Sequence, residues 1–420
     1  MKVSIVAAGS RGDVQPYVAL GNGLKEAGHT VHVLASQDFQ ELITAHGLRF
    51  FNMGGSIESV AQSMEGLLEG GNFIKILSTM GPVAQRLVSE AAASGLIACE
   101  GSNLIIAGLG GLFVGLALSE KLDIPFVPAY LYPFTPTRDF PTVLSPSPQM
   151  RLPSWANRLS HRIGQQMMWQ TFRAADKKAR RQVLGIAPMS FWGPFNSLEQ
   201  DNRTILCGYS KHVIPIPKDW GNTIHVTGYW FLEPSAGWEP PADFVKFLKS
   251  GPPPIYIGFG SMVNRKPEET TDLVLQALAR TDQRGVLSSG WGGLRKEELP
   301  ETVFMIGSIP HSWLFPQMAA VVHHGGVGTT AAGLRAGIPA LVTPYFGDQL
   351  FWGQRVYELG VGPRPIPRKH LSVDCLAESI RCIVSDTAMQ EKATRLGELI
   401  RVENGIARAV SVIEQYRGGR

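Results

Sequence analysis

Cysteine is scarce in this sequence, and its few occurrences are not spaced for a shared structural task. The 420 residues contain only Cys99, Cys207, Cys375 and Cys382, and no two of them form a CxxC pair. Disulfide frameworks and zinc sites both need characteristic cysteine spacings, so neither is indicated. Cys375 and Cys382 lie seven positions apart in a helical pattern, and we interpret them as buried free thiols.

Strong charge of either sign and long apolar runs are also missing. The formal net charge is +4, far below that of a typical nucleic-acid binder. No run approaches the roughly 18 apolar residues of a membrane span, and the first residues enter a strand-like stretch without a signal-peptide pattern. With 44% apolar residues, the composition predicts a globular, cytoplasmic enzyme with a full core.

Two cofactor signatures are absent as well. No Asp-x-Asp metal-binding motif occurs anywhere in the sequence. The first glycine-containing turn does not match GxGxxG, and the second predicted strand ends at Ala35 without an acidic residue, which disfavours NAD. We therefore predict an enzyme without a metal and without a bound cofactor.

The order of strand and helix patterns predicts an α/β protein of two domains. A chain of 420 residues exceeds the size at which single cores stop growing. Predicted parallel strands fall at 3–8, 30–35, 104–107 and 125–128, and again at 255–258, 286–288, 302–306, 320–322 and 340–343. We expect an N-terminal acceptor-binding domain over 1–230, a Pro- and Gly-rich linker over 231–254 and a C-terminal nucleotide-sugar domain over 255–395. One final helix, about 388–416, would carry residues 396–420 back to the first domain.

Two segments of the first domain lack the simple alternating pattern. Residues 130–153 are rich in proline and aromatic residues without periodicity, which is typical of a functional loop beside a pocket. The stretch after it interleaves basic and apolar residues, from Trp155 to Arg181. Such a helix can lie on a membrane surface, but a solvated helix face over a domain core is the favoured interpretation.

The strongest local signal is a glycine-rich turn in the second domain. The apolar strand at Val321 breaks into His324, three glycines and two threonines just where a new helix begins. Small residues let backbone N–H groups approach a phosphate, and the positive end of a helix favours an anion. We predict a phosphate site here, although a purely structural turn remains the alternative.

The residues that follow make this segment specific. Gly337-Ile338-Pro339 and Pro344-Tyr345-Phe346-Gly347-Asp348-Gln349 occur at a fixed distance after the turn. Together they resemble the nucleotide-sugar signature of the family 1 glycosyltransferases, and the whole chain is most similar to the sterol 3-β-glucosyltransferase group and related bacterial natural-product glycosyltransferases. The resemblance implies the GT-B fold, in which two Rossmann-like, doubly wound domains face a central cleft.

The resemblance also implies roles for individual residues. His324 would bind the donor diphosphate, and Asp348 with Gln349 would hydrogen-bond the sugar hydroxyls. The full set of predicted donor-binding residues is Ser10, Arg11, Gly12, Gly260, Ser261, Ser308, Ile309, His311, His324, Gly325, Gly326, Gly328, Thr329, Thr330, Asp348 and Gln349.

Two departures from the plant pattern leave the nucleotide open. Plant members stack a Trp on uracil near the position of Ser308, and this chain has none there. They also bind the ribose through a Glu where this chain has Ala332. Because dTDP lacks the 2′-hydroxyl, both UDP-glucose and dTDP-sugar donors are compatible with the sequence.

Asp13 is the predicted catalytic base. It begins the first helix after the first strand, where a carboxylate can simply cap the helix. In the resemblance, this position matches the base that takes the proton of the acceptor hydroxyl. Residues predicted to line an apolar acceptor pocket, although core packing accounts for each one individually, are Met64, Phe73, Met80, Tyr130, Tyr132, Phe134, Phe140, Met167 and Trp169.

The sequence therefore predicts an inverting hexosyltransferase that converts UDP-glucose and a polycyclic alcohol, such as a sterol, triterpenoid, flavonoid or macrolide, into a β-glycoside. A dTDP-sugar-dependent antibiotic or glycolipid glycosyltransferase is the alternative. Two other classes, a nucleotide-sugar epimerase and a non-catalytic auxiliary protein, stay open. We expect a monomer or weak dimer without a nucleic-acid partner, and peripheral membrane contact is disfavoured.

Overall fold

A computed structural model describes residues 1–56, 73–201, 203–235, 237–260, 262, 266–290, 294 and 298–416. The side chains of residues 73–84 and 200 lie outside this description. Within the described part of the chain, two all-parallel sheets form the framework, one of seven strands and one of five.

The N-terminal sheet has the strand order β3-β2-β1-β4-β5-β6-β7. Its strands are β1 Lys2–Val6, β2 Thr30–Ala35, β3 Arg49–Asn52, β4 Leu104–Ala107, β5 Phe126–Tyr130, β6 Ile205–Cys207 and β7 Ile224–Val226. The order reverses between β1 and β4, and open α/β sheets bind ligands at the carboxyl ends of the strands beside such a reversal.

Helices pack around this sheet. They are α1 Arg11–Glu26, α2 Gln40–Ala45, α3 Phe73–Cys99, α4 Leu112–Leu122, α5 Ser154–Ala179 and α6 Phe195–Gln200. Because such helices cover a parallel sheet, its strands read as nearly continuous apolar runs, and in β4 all four residues are buried.

The C-terminal sheet has the order β10-β9-β8-β11-β12. Its strands are β8 Ile255–Gly258, β9 Gly285–Ser288, β10 Val303–Ile306, β11 Ala320–His323 and β12 Ala340–Val342. The helices are α7 Ala242–Lys249, α8 Pro267–Arg280, α9 His311–Leu314, α10 Val327–Ala336, α11 Asp348–Glu358, α12 Val373–Ser385, α13 Thr387–Arg401 and α14 Gly405–Gln415. A second reversal lies between β8 and β11, and the predicted class of two doubly wound α/β units is confirmed.

Two predicted elements need correction. The predicted linker contains the helix α7. Its Phe244 is fully buried and packs against Phe304, with ring centroids 5.2 Å apart, so the segment is packed against the C-terminal unit. The predicted single last helix is two helices, α13 and α14. The break occurs where Asn404 Oδ1 accepts a hydrogen bond from the Ala407 amide and starts a new helix. The strands β3, β6 and β7 were not predicted.

The last helix, α14, packs on α1 of the N-terminal unit. A Cβ added to Gly23 of α1 would lie only 2.2 Å from Ile406 Cγ2, so the two helices touch closely at this glycine. At the other end of the contact, His29 Nε2 and Glu414 Oε1 are 3.4 Å apart. The chain therefore returns to its first sheet after completing the second.

Among the described residues, no helix combines the length and apolar character needed to cross a membrane.

Candidate active site

The loop between β1 and α1 holds Asp13 in a defined position. Ser10 is the N-cap of α1, and its backbone N–H and its hydroxyl donate to Asp13 Oδ2 at 2.8 and 2.9 Å. Gly9 has φ +131, and a Cβ there would lie 2.5 Å from the same oxygen. The capping interpretation is thus correct for Oδ2, while no described hydrogen bond engages Oδ1.

Burial raises the pKa of Asp13, whereas the two hydrogen bonds from Ser10 oppose that rise. A carboxylate with a raised pKa is a stronger base, and the unengaged Oδ1 can accept a proton. The loop therefore supplies a fixed carboxylate in which one oxygen holds the helix and the other is available for chemistry.

On the opposite side of the cleft, the glycine-rich turn holds the ring of His324 in a slot. Cβ atoms added to Gly260 and Gly326 would lie 2.5 Å from His324 Cε1 and 2.4 Å from Nε2. Gly325 has φ +91, a conformation that favours glycine. Gly260 and Gly326 are therefore needed to leave room for the imidazole, whereas Gly325 is favoured by its backbone conformation.

The imidazole of His324 is neutral near pH 7. Burial lowers its pKa to about 4. Its Nδ1 is buried without a hydrogen-bond partner among the described residues. Leaving a buried polar atom without a hydrogen bond costs free energy. The ring can therefore form one more favourable hydrogen bond, and it lies beside the N-terminus of α10.

The start of α1 contacts two segments of the C-terminal unit, the one after β10 and the glycine-rich turn. Arg11 Nη1 donates to Ser308 Oγ at 2.5 Å, across 297 positions of sequence. A Cβ added to Gly328, in the first turn of α10, would lie 3.3 Å from Gly12 Cα. The start of α1 and the start of α10 therefore lie against each other where the two units meet, which brings the two predicted halves of the site together.

Asp348 and Tyr132 lie close to Asp13. Burial raises the pKa of Asp348 to about 7, and the charge of Asp13 adds to the rise, while a hydrogen bond from Trp352 Nε1 at 3.1 Å opposes it. The pKa of Tyr132 is raised by burial and then by both carboxylates. The phenol of Tyr132 and the carboxylates of Asp13 and Asp348 thus interact electrostatically. Asp13 belongs to the N-terminal unit and Asp348 to the C-terminal unit.

The remaining predicted donor residues have varied settings. Gln349 is buried, and its Oε1 accepts a hydrogen bond from the Tyr345 N–H at 2.8 Å. This side chain therefore stabilises the loop before α11. Thr330 Oγ1 donates to the Gly326 carbonyl at 3.0 Å and acts within its own helix. Ser261 lies outside the described residues. Direct contact of these residues with a donor stays a prediction.

The segment predicted to hold the base lies along the same edge. Ser308 is exposed, and Ile309 is partly buried. The ring of His311 stacks on Phe315 with centroids 4.3 Å apart. Burial, with smaller contributions from Arg11 and His324, lowers the pKa of His311 to about 3, so this ring is neutral too.

The predicted acceptor residues separate into two groups. Tyr132 and Phe140 are partly buried and lie toward the cleft, and Phe140 is 6.5 Å from Phe351 of α11, measured between ring centroids. Met64 lies outside the described residues, as do the side chains of Phe73 and Met80.

The other predicted acceptor residues lie elsewhere, which corrects the picture of one pocket. Tyr130 and Phe134 are buried and pack on each other at 5.6 Å, and Trp169 is fully buried against Phe113 at 5.2 Å. Met167 is exposed on the outer face of α5. On a helix, residues two apart point to nearly opposite sides, so Trp169 and Met167 cannot share a lining.

Two aromatic residues of the site were not identified from the sequence. Trp352 is fully buried and donates to Asp348, and Phe351 faces Phe140 across the cleft. The spacing of Asp348 and Trp352, four residues apart at a helix start, was the available signal, because such pairs lie on one helix face.

The linked carboxylates predict a pH dependence. Asp348 is the predicted partner of the sugar hydroxyls and accepts their hydrogen bonds best as a carboxylate, so kcat/KM should fall as the pH drops below about 7, where Asp348 takes up a proton. In Asp348→Asn this acidic limb should be lost from that pH range, because the titrating carboxyl group is gone. Initial rates measured from pH 5 to 9 at low donor concentration test this; an unmoved limb in the variant would contradict the assignment.

Among the described residues, no group of three or more His, Cys, Asp or Glu comes together in a way that could hold a metal ion.

Two family models match the chain, one in each half. The model described as "Glycosyltransferase family 28 N-terminal domain" matches residues 3–141. The model described as "Erythromycin biosynthesis protein CIII-like, C-terminal domain" matches residues 272–404. The first match contains the Asp13 loop and the second contains the His324 turn.

Curated relatives extend the similarity to the whole chain. Sterol 3-beta-glucosyltransferase UGT80B1 of Arabidopsis thaliana is 36% identical over 427 residues, covering 99% of this chain and 68% of the relative. A sterol 3-beta-glucosyltransferase of Cryptococcus neoformans is 35% identical over 438 residues, covering 98% of this chain and 27% of the relative. The chain spans about two thirds of the plant relative and about a quarter of the fungal one.

Solved structures share the fold. The glycotransferase of kitacinnamycin superposes with a TM-score of 0.71 at 18% identity, covering 99% of this chain and 98% of that one. CalG4, the calicheamicin glycosyltransferase, gives 0.66 at 18% identity, covering 99% and 98%. VinC, solved in complex with dTDP, gives 0.64 at 17% identity, covering 99% of each chain. These neighbours confirm the predicted GT-B fold.

Proposed function

This chain belongs to the sterol 3-beta-glucosyltransferase family of nucleotide-sugar-dependent glycosyltransferases, and we propose that it transfers glucose from UDP-glucose to a hydroxyl of a sterol-like polycyclic alcohol. The observation that carries the proposal is the meeting of two loops, one from each unit. Asp13, the candidate base, and the glycine turn around His324, the candidate diphosphate site, face the same cleft.

The donor half of the proposal rests on the start of α10. Its first backbone N–H groups have no partner within the helix, and the helix dipole favours a negative charge there. The neutral His324 ring, with an unpartnered nitrogen, adjoins the same position. Together they suit the two phosphates of a nucleotide sugar. The choice of UDP over dTDP is supported by the glucosyltransferase relatives alone.

The acceptor half rests on the aromatic residues near the cleft. Both carboxylates contribute to the raised pKa of Tyr132, and Phe140 with Phe351 forms an apolar wall shared by both units. A flat apolar ring system can cover such a wall while its hydroxyl points to Asp13. The printed names of the relatives favour a sterol among the polycyclic alcohols.

In the proposed reaction, Asp13 Oδ1 takes the proton of the acceptor hydroxyl as its oxygen attacks C1 of the glucose. The new C1–O bond forms while the bond from C1 to the phosphate oxygen breaks, and the electron pair leaves with the nucleoside diphosphate. Attack from the face opposite the diphosphate inverts the anomeric centre and yields a β-glycoside. The charge that develops on the leaving group is stabilised by the start of α10 and by His324.

A screen that crosses UDP- and dTDP-sugars with sterols, triterpenoids, flavonoids and macrolides, read by mass spectrometry, tests the proposal. We expect a hexoside of a sterol with UDP-glucose, and equal rates with and without a chelator. An epimerised nucleotide sugar without any glycoside would indicate an epimerase. An inactive chain that activates a co-purified transferase would indicate an auxiliary protein.

A further inference from the structure

The outer face of α5 exposes a row of large apolar side chains to solvent. Trp155, Leu159, Ile163 and Met167 recur every fourth residue, which places them along one side of the helix. Their exposed fractions lie between 38% and 70%. Single exposed apolar residues are ordinary on protein surfaces, but a contiguous row of four large ones marks an interaction site.

Two further exposed aromatic residues extend this row. The backbone carbonyl of Phe191 accepts hydrogen bonds from Trp169 Nε1 at 2.9 Å and from Gln170 Nε2 at 2.8 Å, which seats the exposed Phe191–Trp192 pair against α5. The guanidinium of Arg173 lies over the Phe191 ring, 4.9 Å from its centroid. We refer to the four residues of α5 together with Phe191 and Trp192 as the apolar patch.

The segment that carries the apolar patch is rich in basic residues. Residues 151–192 contain eight basic side chains, Arg151, Arg158, Arg162, Arg173, Lys177, Lys178, Arg180 and Arg181, and a single acidic one, Asp176. That acid is buried and paired with Arg180 at 3.1 Å. Glu199 pairs with Arg158 and Arg162, and Arg180 is buried and also paired with Glu120. The basic side chains of this segment without an ion pair among the described residues are Arg151, Arg173, Lys177, Lys178 and Arg181.

We propose that the apolar patch docks on a lipid bilayer with anionic headgroups. Exposed Trp and aliphatic side chains partition into the interface between headgroups and acyl chains, and surrounding Lys and Arg attract anionic lipids. A second copy of this chain suits the surface poorly, because a two-fold contact would place the same basic segment opposite itself.

The inner face of the same helix connects the apolar patch to the cleft. Asn157 Nδ2 donates to the Arg138 carbonyl at 3.0 Å, and Gln165 Nε2 donates to the Phe134 carbonyl at 3.1 Å. These bonds hold the loop that carries Tyr132 and Phe140. A docked α5 would therefore place the cleft loop beside the bilayer, where apolar acceptors dissolve. This consequence for the acceptor rests on the proposed function, whereas bilayer docking itself does not.

Sedimentation with vesicles tests the docking. We expect at least about tenfold stronger binding to an equal mixture of phosphatidylcholine and phosphatidylglycerol than to phosphatidylcholine alone, weakening as salt is added. The double variant Leu159→Ser/Ile163→Ser should lose about tenfold of this binding. The matched control Ile97→Ser/Val402→Ser, which removes two other exposed apolar residues, should bind like the unaltered chain.

A charge-reversal pair separates specific docking from general attraction. Lys177→Glu/Lys178→Glu, beside the apolar patch, should weaken vesicle binding at least about tenfold. Lys246→Glu/Lys249→Glu makes the same charge change on exposed positions of α7 and should leave the binding within about twofold. Equal losses in the two variants, or no binding to either vesicle, would overturn the proposal.

Two more measurements keep the outcomes distinct. Sedimentation velocity should show the same mass for the unaltered chain and for Leu159→Ser/Ile163→Ser; a dimer that this variant dissociates would identify a second copy as the occupant and refute lipid docking. Glucosyl transfer to a detergent-dispersed acceptor should be unchanged in this variant. A chain without any transfer activity that still binds anionic vesicles would contradict the proposed function only.

Discussion

Replacing Asp13 by asparagine is expected to lower kcat by about a hundredfold to ten-thousandfold, because the amide cannot take the acceptor's proton. The amide oxygen can still accept the two hydrogen bonds from Ser10 that Oδ2 now accepts, so the start of α1 should keep its shape. Donor affinity should stay within about threefold, since the diphosphate site lies on the other unit. Release of nucleoside diphosphate, measured under saturating and limiting donor, checks both values.

A control at Ser10 separates helix capping from proton transfer. Ser10→Ala removes the hydroxyl that donates to Asp13 Oδ2 at 2.9 Å but keeps the backbone N–H bond. We expect a loss of stability of about 1 kcal/mol and a loss of kcat below about tenfold, because the carboxylate remains. If Ser10→Ala and Asp13→Asn lower kcat equally, Asp13 acts through the loop and is a positioning residue.

Asp348 is the other carboxylate that a base assignment must consider. Its pKa is raised to about 7, and one of its oxygens accepts from Trp352. If it were the base, Asp348→Asn would abolish turnover while Asp13→Asn would not. We expect the reverse, with Asp348→Asn mainly raising KM for the donor, because the family resemblance assigns this residue to the sugar hydroxyls.

The parts of the site that the sequence predicted are those set by local rules. A strand followed by glycines and a helix start defines the turn at His324, and Ser10 with Asp13 defines a capping box. Each feature is defined by residues that are neighbours in the sequence. Its chemistry can therefore be predicted without knowledge of the fold. Their meeting across the cleft was predicted from the resemblance, since no local rule joins Gly12 to Gly328.

The parts that the sequence did not predict depend on distant packing. Whether Tyr132 faces the cleft while Tyr130 and Phe134 face the core depends on how the loop after β5 is held by α5. The break between α13 and α14 lies at Asn404, next to Gly405, where a Cβ would lie 2.4 Å from the Tyr229 carbonyl oxygen of the N-terminal unit. The helical periodicity of the sequence continues through this position. It is a local pattern and contains no information about a partner 176 residues earlier in the sequence.

Replacing His324 by alanine is expected to raise KM for the donor by about tenfold to a hundredfold. A hydrogen bond to a charged group contributes about 1.5–3 kcal/mol, and the ring is neutral at pH 7 because its pKa is about 4. Turnover should fall as well, since the imidazole N–H that binds the donor diphosphate also stabilises the negative charge that develops on it as it leaves. Donor titration followed by tryptophan fluorescence, together with steady-state rates, measures the two effects.

A variant that keeps the imidazole but moves it makes the test specific. Gly260→Ala places a Cβ 2.5 Å from His324 Cε1, at a residue with φ +61, so the ring must shift out of its slot. We expect donor KM to rise at least about tenfold although the histidine is present. Gly307, which has open space around its Cα, provides the matched control as Gly307→Ala, with donor KM unchanged. A normal donor KM in both His324→Ala and Gly260→Ala would mean that the start of α10 binds the diphosphate without the imidazole.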